Sequence, residues 1–87
     1  MKMYSLYILQ CADKTLYTGI TADLPRRLME HNNSKLGAKY TRGRRPAKLV
    51  YVKTFRNRST ALKEEGRIKK LSRSEKRTLI RRVLETP

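Results

Sequence analysis

The stretch that decides the fold is Leu6–His31, LYILQCADKTLYTGITADLPRRLMEH. It opens within a segment, Tyr4–Cys11, that is rich in β-branched and aromatic residues and predicts a strand. Asp13 and Lys14 mark a turn, and Leu16–Ile20 predicts a returning strand. The two strands are expected to pair as a β-hairpin.

Gly19 interrupts the second of these strands. A glycine inside a strand marks either the close approach of another backbone or a ligand, or a bulge. Both interpretations stay open at this point.

A helix is predicted after the hairpin, with Asp23 as its N-cap and Pro25 in its first turn. Leu24 and Leu28 define its buried face. Arg27 and His31 are four residues apart and therefore share a face close to the leucines.

From the residues alone, Arg27 and His31 have two interpretations. They form the polar wall of a site beside the hairpin, or they are a solvated arginine and a hydrogen-bonded core histidine. The spacing does not decide between these interpretations, and the second is the commoner case.

Length and charge limit the class of protein. Eighty-seven residues make one small domain, expected to span 1–87. Twenty-two Lys and Arg against seven Asp and Glu give a net charge of +15, which favours contact with nucleic acid over a merely soluble basic surface. The single cysteine, Cys11, excludes an internal disulfide and is expected to be a buried hydrophobe.

A loop is predicted over residues 32–46, NNSKLGAKYTRGRRP, because Gly and Pro break any regular pattern there. Basic side chains in this loop are candidates for phosphate binding, and Tyr40 for stacking on an unpaired base. The basic residues concerned are Lys39, Arg42, Arg44 and Arg45.

The second half of the chain predicts a strand and two helices. The apolar run Lys48–Phe55 predicts an interior strand, and Ser59 is expected to cap a helix over Thr60–Leu71. Ser72 and Glu75 form a capping box that starts a last helix.

The last helix is expected to end near Leu84 and to have two unlike faces. Its apolar stripe is assigned to the core, whereas its basic face is either solvated or part of a phosphate track. The basic face consists of Arg73, Lys76, Arg77, Arg81 and Arg82. The element order β-β-α-β-α-α predicts an α+β fold, a small three-stranded, mainly antiparallel sheet with helices packed against it.

The spacing within the hairpin resembles a known family. Leu6-Tyr7-Ile8 and Tyr17-Thr18-Gly19 are similar to the paired motifs of the GIY-YIG endonuclease superfamily, with Arg27 and His31 at the family's intervals. The first motif reads LYI and the second YTG, but both keep the tyrosine. The resemblance continues through residues 38–46 and Ile68-Lys69, as in small stand-alone bacterial members, and covers nearly the whole chain.

The family binds a divalent metal through one glutamate on a later helix, for which Glu64 and Glu65 are the candidates. Helix periodicity leaves the two nearly equivalent. The family pattern, with Ile68 and Lys69 three and four residues after the glutamate, selects Glu65. A late asparagine found in some relatives has no counterpart after Asn57.

The resemblance implies a catalytic set in which Tyr17 orients or deprotonates water, Arg27 grips the phosphate, and Tyr7 and His31 assist. It implies Mg²⁺ or Mn²⁺ held by Glu65, and Gly19 and Lys69 are added to the expected nucleic-acid contacts. A single carboxylate completed by waters suits Mg²⁺.

The expected function is metal-dependent cleavage of DNA, in repair or recombination by resemblance alone. The alternatives are a nucleic-acid-binding module with little or no turnover, and an RNA- or ribosome-associated basic protein. The N-terminal apolar run is too short and polar for a membrane span, so a cytoplasmic protein is expected. A protein partner for targeting is compatible with the chain, and the oligomeric state is open.

Overall fold

The protein is a three-stranded antiparallel sheet with helices packed against it, as the sequence predicted, and the helices lie on both faces. The computed structural model describes residues 3–33, 41 and 43–85. Lys39, Tyr40 and Arg42, named above as candidate contacts, lie outside the described residues. The described elements are β1 (Tyr4–Gln10), β2 (Leu16–Thr21), α1 (Leu24–Asn33), β3 (Lys48–Phe55), α2 (Arg58–Lys69) and α3 (Arg73–Glu85).

Strand β1 is the centre of the sheet, between β2 and β3. The prediction that β3 is an interior strand is wrong, because β3 lies at an edge and only Tyr51 of its side chains is buried. Four consecutive side chains, Leu6 to Leu9, are buried, so β1 contributes to the core on both faces. The β1–β3 ladder shifts register between Ile8 and Leu9, whereas the β1–β2 ladder runs unbroken past Gly19. The bulge interpretation of Gly19 is therefore wrong.

The hairpin turn is built by its own side chains. Asp13 Oδ1 accepts a hydrogen bond of 3.1 Å from the Thr15 amide, and the Cys11 amide donates to the Thr15 carbonyl at 2.9 Å. Lys14 adopts a left-handed backbone with φ of 72°. These contacts confirm the predicted turn.

Helix α1 begins as predicted and ends later. Asp23 Oδ1 accepts a hydrogen bond of 3.2 Å from the Arg26 amide, which confirms the cap. The prediction that a loop begins at Asn32 is wrong, because the helix continues to Asn33. The Asn32 side chain bonds both backbone groups of Ala47, accepting from the amide at 2.7 Å and donating to the carbonyl at 3.0 Å.

Helix α2 begins two residues before the predicted start. Asn57, not Ser59, is its N-cap, with an extended backbone and a side chain that accepts from the Thr60 amide at 2.8 Å. An N-cap side chain bonds the amide two or three residues on, and Asn57 has the position that the first turn requires. The helix also ends at Lys69 rather than at Leu71.

The capping box of α3 is confirmed. The Ser72 amide donates to Glu75 Oε1 at 2.8 Å, and the Glu75 amide donates to Ser72 Oγ at 3.1 Å. These reciprocal bonds start the helix at Arg73.

Two apolar clusters lie on opposite faces of the sheet, since successive side chains of β1 point to opposite sides. Helices α2 and α3 cover the first cluster and α1 covers the second. The first cluster contains Leu6, Ile8, Tyr51 and Ile68, and the second contains Tyr7, Leu9, Cys11 and Ala47. Cys11 is 2% exposed, which confirms the prediction of a buried thiol. Tyr7 therefore points toward the side of the sheet that carries α1.

No helix in the described part of the chain is long and apolar enough to cross a membrane.

Candidate active site

The site is built around the ring of Tyr7, which lies across the neighbouring strand at Gly19. Tyr7 and Gly19 are directly paired in the β1–β2 ladder. A Cβ atom at Gly19 would lie 2.6 Å from Tyr7 Oη and 2.8 Å from Cζ, which is too close for any side chain. The glycine in this strand therefore allows the Tyr7 side chain to approach the backbone of β2 closely. The expected contact of Gly19 with nucleic acid stays a prediction.

The hydroxyl of Tyr7 meets His31, which projects from α1 and is fully buried. Tyr7 Oη and His31 Nε2 are 2.9 Å apart, and His31 Nδ1 lies 2.8 Å from Thr41 Oγ1. Because both ring nitrogens have a hydroxyl partner, the orientation of the imidazole is fixed. His31 is thus both a satisfied buried histidine and a direct partner of Tyr7.

Thr41 is the residue of this site that the sequence analysis missed. It is fully buried, although it lies in the segment predicted as a basic loop. The predicted nucleic-acid contacts were basic and aromatic side chains, so they included the neighbours Tyr40 and Arg42 but not Thr41. The nearest signal was the inclusion of Thr41 in the block that resembles the family, with no role attached to it.

Tyr17 of β2 completes a group of three rings. Its ring centroid is 6.4 Å from that of Tyr7 and 5.1 Å from that of His31, with interplanar angles of 41° and 61°. The Tyr7 and His31 rings meet edge-on at 5.8 Å. The structure thus brings together both predicted tyrosines and the predicted histidine.

Arg27 lies at the rim of this group. Its Nη1 donates to Glu30 Oε1 at 2.8 Å, and its guanidinium also hydrogen-bonds the Tyr7 hydroxyl. The side chain is 28% exposed, so it joins the buried rings to solvent. It borders an open cleft of about 580 Å³ lined by Thr21, Ala22, Asp23, Arg26, Arg27 and Glu30.

The protein environment holds the two buried groups in their neutral forms. Burial raises the pKa of Tyr7 to about 12, with a further rise from the charges of Tyr17 and Glu65, while the hydrogen bond from Arg27 acts in the opposite direction. Burial and the nearby Arg27 charge lower the pKa of His31 to about 4. At neutral pH the site therefore presents a phenol and an uncharged imidazole.

The two candidate glutamates have different surroundings. Glu64 is held by Arg67, whose Nε and Nη2 donate to it at 2.6 and 2.9 Å. Burial raises the pKa of Tyr51, and the charge of Glu64 adds to this rise. Glu65 pairs with Lys69 Nζ at 3.4 Å, and its charge raises the pKa of Tyr7. Burial is the main cause of the raised pKa of Tyr7, and the charge of Glu65 adds a smaller contribution.

The side chains of this site that could bind a metal ion offer mainly oxygen atoms, which are hard ligands. Within residues 3–33, 41 and 43–85, no group of three or more His, Cys, Asp or Glu side chains could hold a metal ion. The carboxylate of Glu65, which is 17% exposed, fits a hydrated Mg²⁺ or Mn²⁺ that keeps most of its waters.

Two arginines predicted to bind phosphate make contacts within the protein. Arg44 Nε pairs with Asp13 Oδ2 at 3.0 Å. Arg45 donates from Nε to the His31 carbonyl at 2.6 Å and from Nη2 to the Glu30 carbonyl at 3.2 Å. These bonds fasten the segment around Arg44 to the hairpin turn and to the end of α1. Their contacts with nucleic acid, like that of Lys69, stay predictions.

Comparison with known proteins identifies the family. The GIY-YIG catalytic domain matches residues 3–78. A UPF0213 protein of Desulfotalea psychrophila is 59% identical over 76 residues, covering 87% of this chain and 69% of the relative. A UPF0213 protein of Syntrophus aciditrophicus is 55% identical, covering 87% of each chain.

Solved structures agree with the sequence comparisons. The solution NMR structure of an E. faecalis protein is 40% identical with a TM-score of 0.66, covering 100% of this chain and 93% of that one. That of a UPF0213 protein of Bacillus halodurans is 44% identical with a TM-score of 0.59, covering 90% and 82%. A domain match of this length, with relatives more than half identical, means that the chain belongs to the GIY-YIG family.

Proposed function

We propose that this protein is a divalent-metal-dependent endonuclease that hydrolyses phosphodiester bonds in DNA. One observation carries the proposal: the rings of Tyr7, Tyr17 and His31 converge beside Arg27. Phosphodiester hydrolysis needs a positioned water, a cation for the phosphate and help for the leaving oxygen. This set of side chains can supply the first two.

Arg27 is the proposed phosphate contact. A guanidinium binds two phosphate oxygens with parallel hydrogen bonds, and such a contact favours the more highly charged transition state. The bond from Arg27 to Glu30 holds the head group at the mouth of the cleft. The bond to the Tyr7 hydroxyl places the phosphate contact beside the rings.

The two tyrosines take different roles in the proposal. With a pKa of about 12, Tyr7 keeps its proton at neutral pH and acts by hydrogen bonding. Tyr17 orients the attacking water by hydrogen bonding, and it could take the water's proton only as a phenolate, after its own proton had passed to a base or to solvent. His31 and Thr41 hold the Tyr7 hydroxyl in place from behind.

Glu65 is the proposed holder of Mg²⁺ or Mn²⁺. When bound, such an ion supplies positive charge for the phosphate and for the departing oxygen. The contact of Glu65 with Lys69 is an ion pair whose lysine is 55% exposed, so the ammonium is able to turn to solvent and leave the carboxylate oxygens accessible. A single protein ligand predicts weak metal binding in the absence of DNA.

The test compares two neighbouring glutamates. Purified protein is incubated with Mg²⁺ or Mn²⁺ and with single-stranded, duplex, flapped and branched DNA, alongside Glu65→Gln and its matched control Glu64→Gln. We expect wild type and Glu64→Gln to cleave, and Glu65→Gln to bind DNA without cleaving it. Equal cleavage by Glu65→Gln would show that the metal ligand is misassigned.

A wild-type protein that binds nucleic acid but cleaves none of these substrates with either metal would support the binding-module alternative. The substrate panel also bears on the proposed role, since preference for flapped or branched DNA is expected of an enzyme of repair or recombination. We propose that it acts in the cytoplasm, with RNA as the alternative substrate.

A further inference from the structure

Helix α3 carries a row of arginines outside the proposed catalytic group, which consists of Tyr7, Tyr17, Arg27, His31 and Glu65. Arg73, Arg77 and Arg81 follow one another at intervals of four residues, so they lie on one side of the helix about 6 Å apart along its axis. Leu79 and Ile80 of the same helix pack against the first apolar cluster. We call the three arginines the α3 basic face.

Two of these arginines converge on a single neutral acceptor. Nη2 of Arg73 and Nη2 of Arg77 each lie 3.0 Å from the carbonyl oxygen of Lys14 in the hairpin turn. The two positive charges are thus held close together, with no carboxylate between them. Like charges repel, so such a pair is best stabilised by an anion that both can reach.

The carboxylates of the chain are engaged elsewhere. From Asp13 to Glu75, every acidic side chain has a basic partner or caps a helix, and within the described residues no ion pair includes a member of the α3 basic face. The acidic residues and their contacts are Asp13 with Arg44, Asp23 at the start of α1, Glu30 with Arg26 and Arg27, Glu64 with Arg67, Glu65 with Lys69, and Glu75 at the start of α3. Among the acidic side chains that the structure describes, none pairs with the α3 basic face.

The surface around these arginines is shaped to receive a chain of phosphates. An open groove of about 520 Å³ is lined by Arg73, Ser74, Arg77, Thr78 and Arg81, so hydroxyl groups alternate with guanidinium groups. A second groove, lined by Thr15, Leu16, Arg73 and Lys76, extends to the start of β2. Leu16 packs against the first apolar cluster and Tyr17 against the second, so the two grooves lie on the face of the sheet opposite to the rings of Tyr7 and Tyr17.

We propose that the α3 basic face is a second DNA-binding surface, which holds the phosphate backbone outside the catalytic group. The choice of DNA as ligand rests on the function proposed above. Arginines and hydroxyls that contact phosphates position a nucleic acid without reading its sequence. This surface therefore supplies affinity rather than sequence selectivity.

The test uses two double variants of equal charge. Arg77→Gln with Arg81→Gln removes two arginines of the face, and Arg56→Gln with Arg58→Gln removes two exposed arginines elsewhere. The control pair follows β3 at Phe55, which is paired with Tyr4 at the end of the sheet away from the hairpin turn. Both variants lower the net charge by the same amount.

Binding is measured by fluorescence anisotropy with a short labelled DNA duplex, without divalent metal, between about 50 and 200 mM salt. Each lost phosphate contact is expected to reduce the slope of log K against log salt by about 0.9. The Arg77→Gln/Arg81→Gln variant should therefore lose up to about 1.8 from the slope, and the control variant much less. If the plots of log K against log salt coincide for the two variants, the proposal is wrong and the arginines of α3 form only a solvated surface.

Arg77 also bonds Lys14, so its replacement could loosen the contact between α3 and the hairpin. Arg81→Gln alone, at an exposed position, leaves that contact intact. Its slope of log K against log salt should be reduced by about half as much as that of the double variant. A slope change confined to an RNA duplex of the same sequence would overturn the choice of DNA.

The metal-free measurement separates this proposal from the proposed function. If the wild-type protein binds but never cleaves, the endonuclease proposal fails and the surface is still tested by the salt plots. If it cleaves, Arg77→Gln/Arg81→Gln should raise KM and leave kcat unchanged. A fall in kcat at saturating DNA would instead place these arginines in the chemical step and contradict a purely positioning surface.

Discussion

The hydroxyl of Thr41 lies 2.8 Å from Nδ1 of His31, and both side chains are fully buried. The other ring nitrogen of His31 bonds the Tyr7 hydroxyl. The partner of one nitrogen of a histidine helps to determine which tautomer the ring adopts. Thr41 is therefore a positioning residue that acts on Tyr7 through the imidazole.

Replacing Thr41 by valine removes this hydroxyl and keeps the shape. We expect a mixture of His31 tautomers and a fall in kcat of about tenfold to a hundredfold, the range found when a partner that orients a ligating histidine is removed. Ring nitrogen chemical shifts from NMR report the tautomer independently of activity. Thr41→Ser, which retains the hydroxyl, should restore both; an unchanged tautomer in Thr41→Val would refute the assignment.

Replacing Gly19 by alanine puts a methyl group where the Tyr7 hydroxyl lies. The ring must move, and we expect a loss of about 1–3 kcal/mol of stability together with most of the activity. Gly66→Ala is the control, because a Cβ there meets nothing within 4 Å. That substitution should instead stabilise α2 by about 0.5–1 kcal/mol. Thermal unfolding of both variants measures the two changes in stability. Equal changes would contradict the prediction.

Stability should fall as the pH drops below the ordinary pKa of histidine. His31 has a pKa of about 4 in the folded protein and 6.5 when unfolded, so the unfolded state binds more protons between these values. The free energy of unfolding should then decrease by at most about 3 kcal/mol from pH 6.5 to pH 4.

Urea unfolding of wild type and His31→Gln across this range measures the effect. The variant should show a flatter dependence above about pH 5.5, where carboxylates with ordinary pKa values of about 4 contribute little. Parallel curves would mean that His31 does not titrate with a depressed pKa.

Replacing Asn32 by alanine breaks the contact between α1 and the segment before β3. The amide and carbonyl of the buried Ala47 both lose their partner, and each unsatisfied buried group costs about 1–3 kcal/mol. Asn33→Ala, at the exposed neighbouring position, should change stability by less than about 0.5 kcal/mol. Chemical unfolding of the two variants gives the comparison, and similar losses would show that the Asn32 bonds contribute little.

Local signals predicted most of the fold. The bounds of β3, the Asp23 cap and the Ser72–Glu75 capping box follow from short patterns whose physics is contained in a few residues. The start of α2 was misplaced because Asn57 and Ser59 are both good caps, and only the folded backbone selects one of them.

The site was only partly predictable for a different reason. Spacing and family resemblance indicated Tyr7, Tyr17, Arg27 and His31, and the structure places these four together. Thr41 was not predicted as a site residue because its bond to His31 joins two segments that no sequence periodicity relates. The role of Glu65 stays a prediction, which the comparison of Glu65→Gln with Glu64→Gln tests.

Tyr7 belongs to the second apolar cluster as well as to the catalytic group. Selection for folding alone would therefore preserve Tyr7, Gly19 and His31 even in a member of the family without nuclease activity. Arg27 and Glu65 lie at the rim, where a replacement leaves the core intact. Among small relatives of this protein, the motif tyrosine is thus a marker of ancestry, and the arginine and glutamate are the residues from which retained catalysis should be judged.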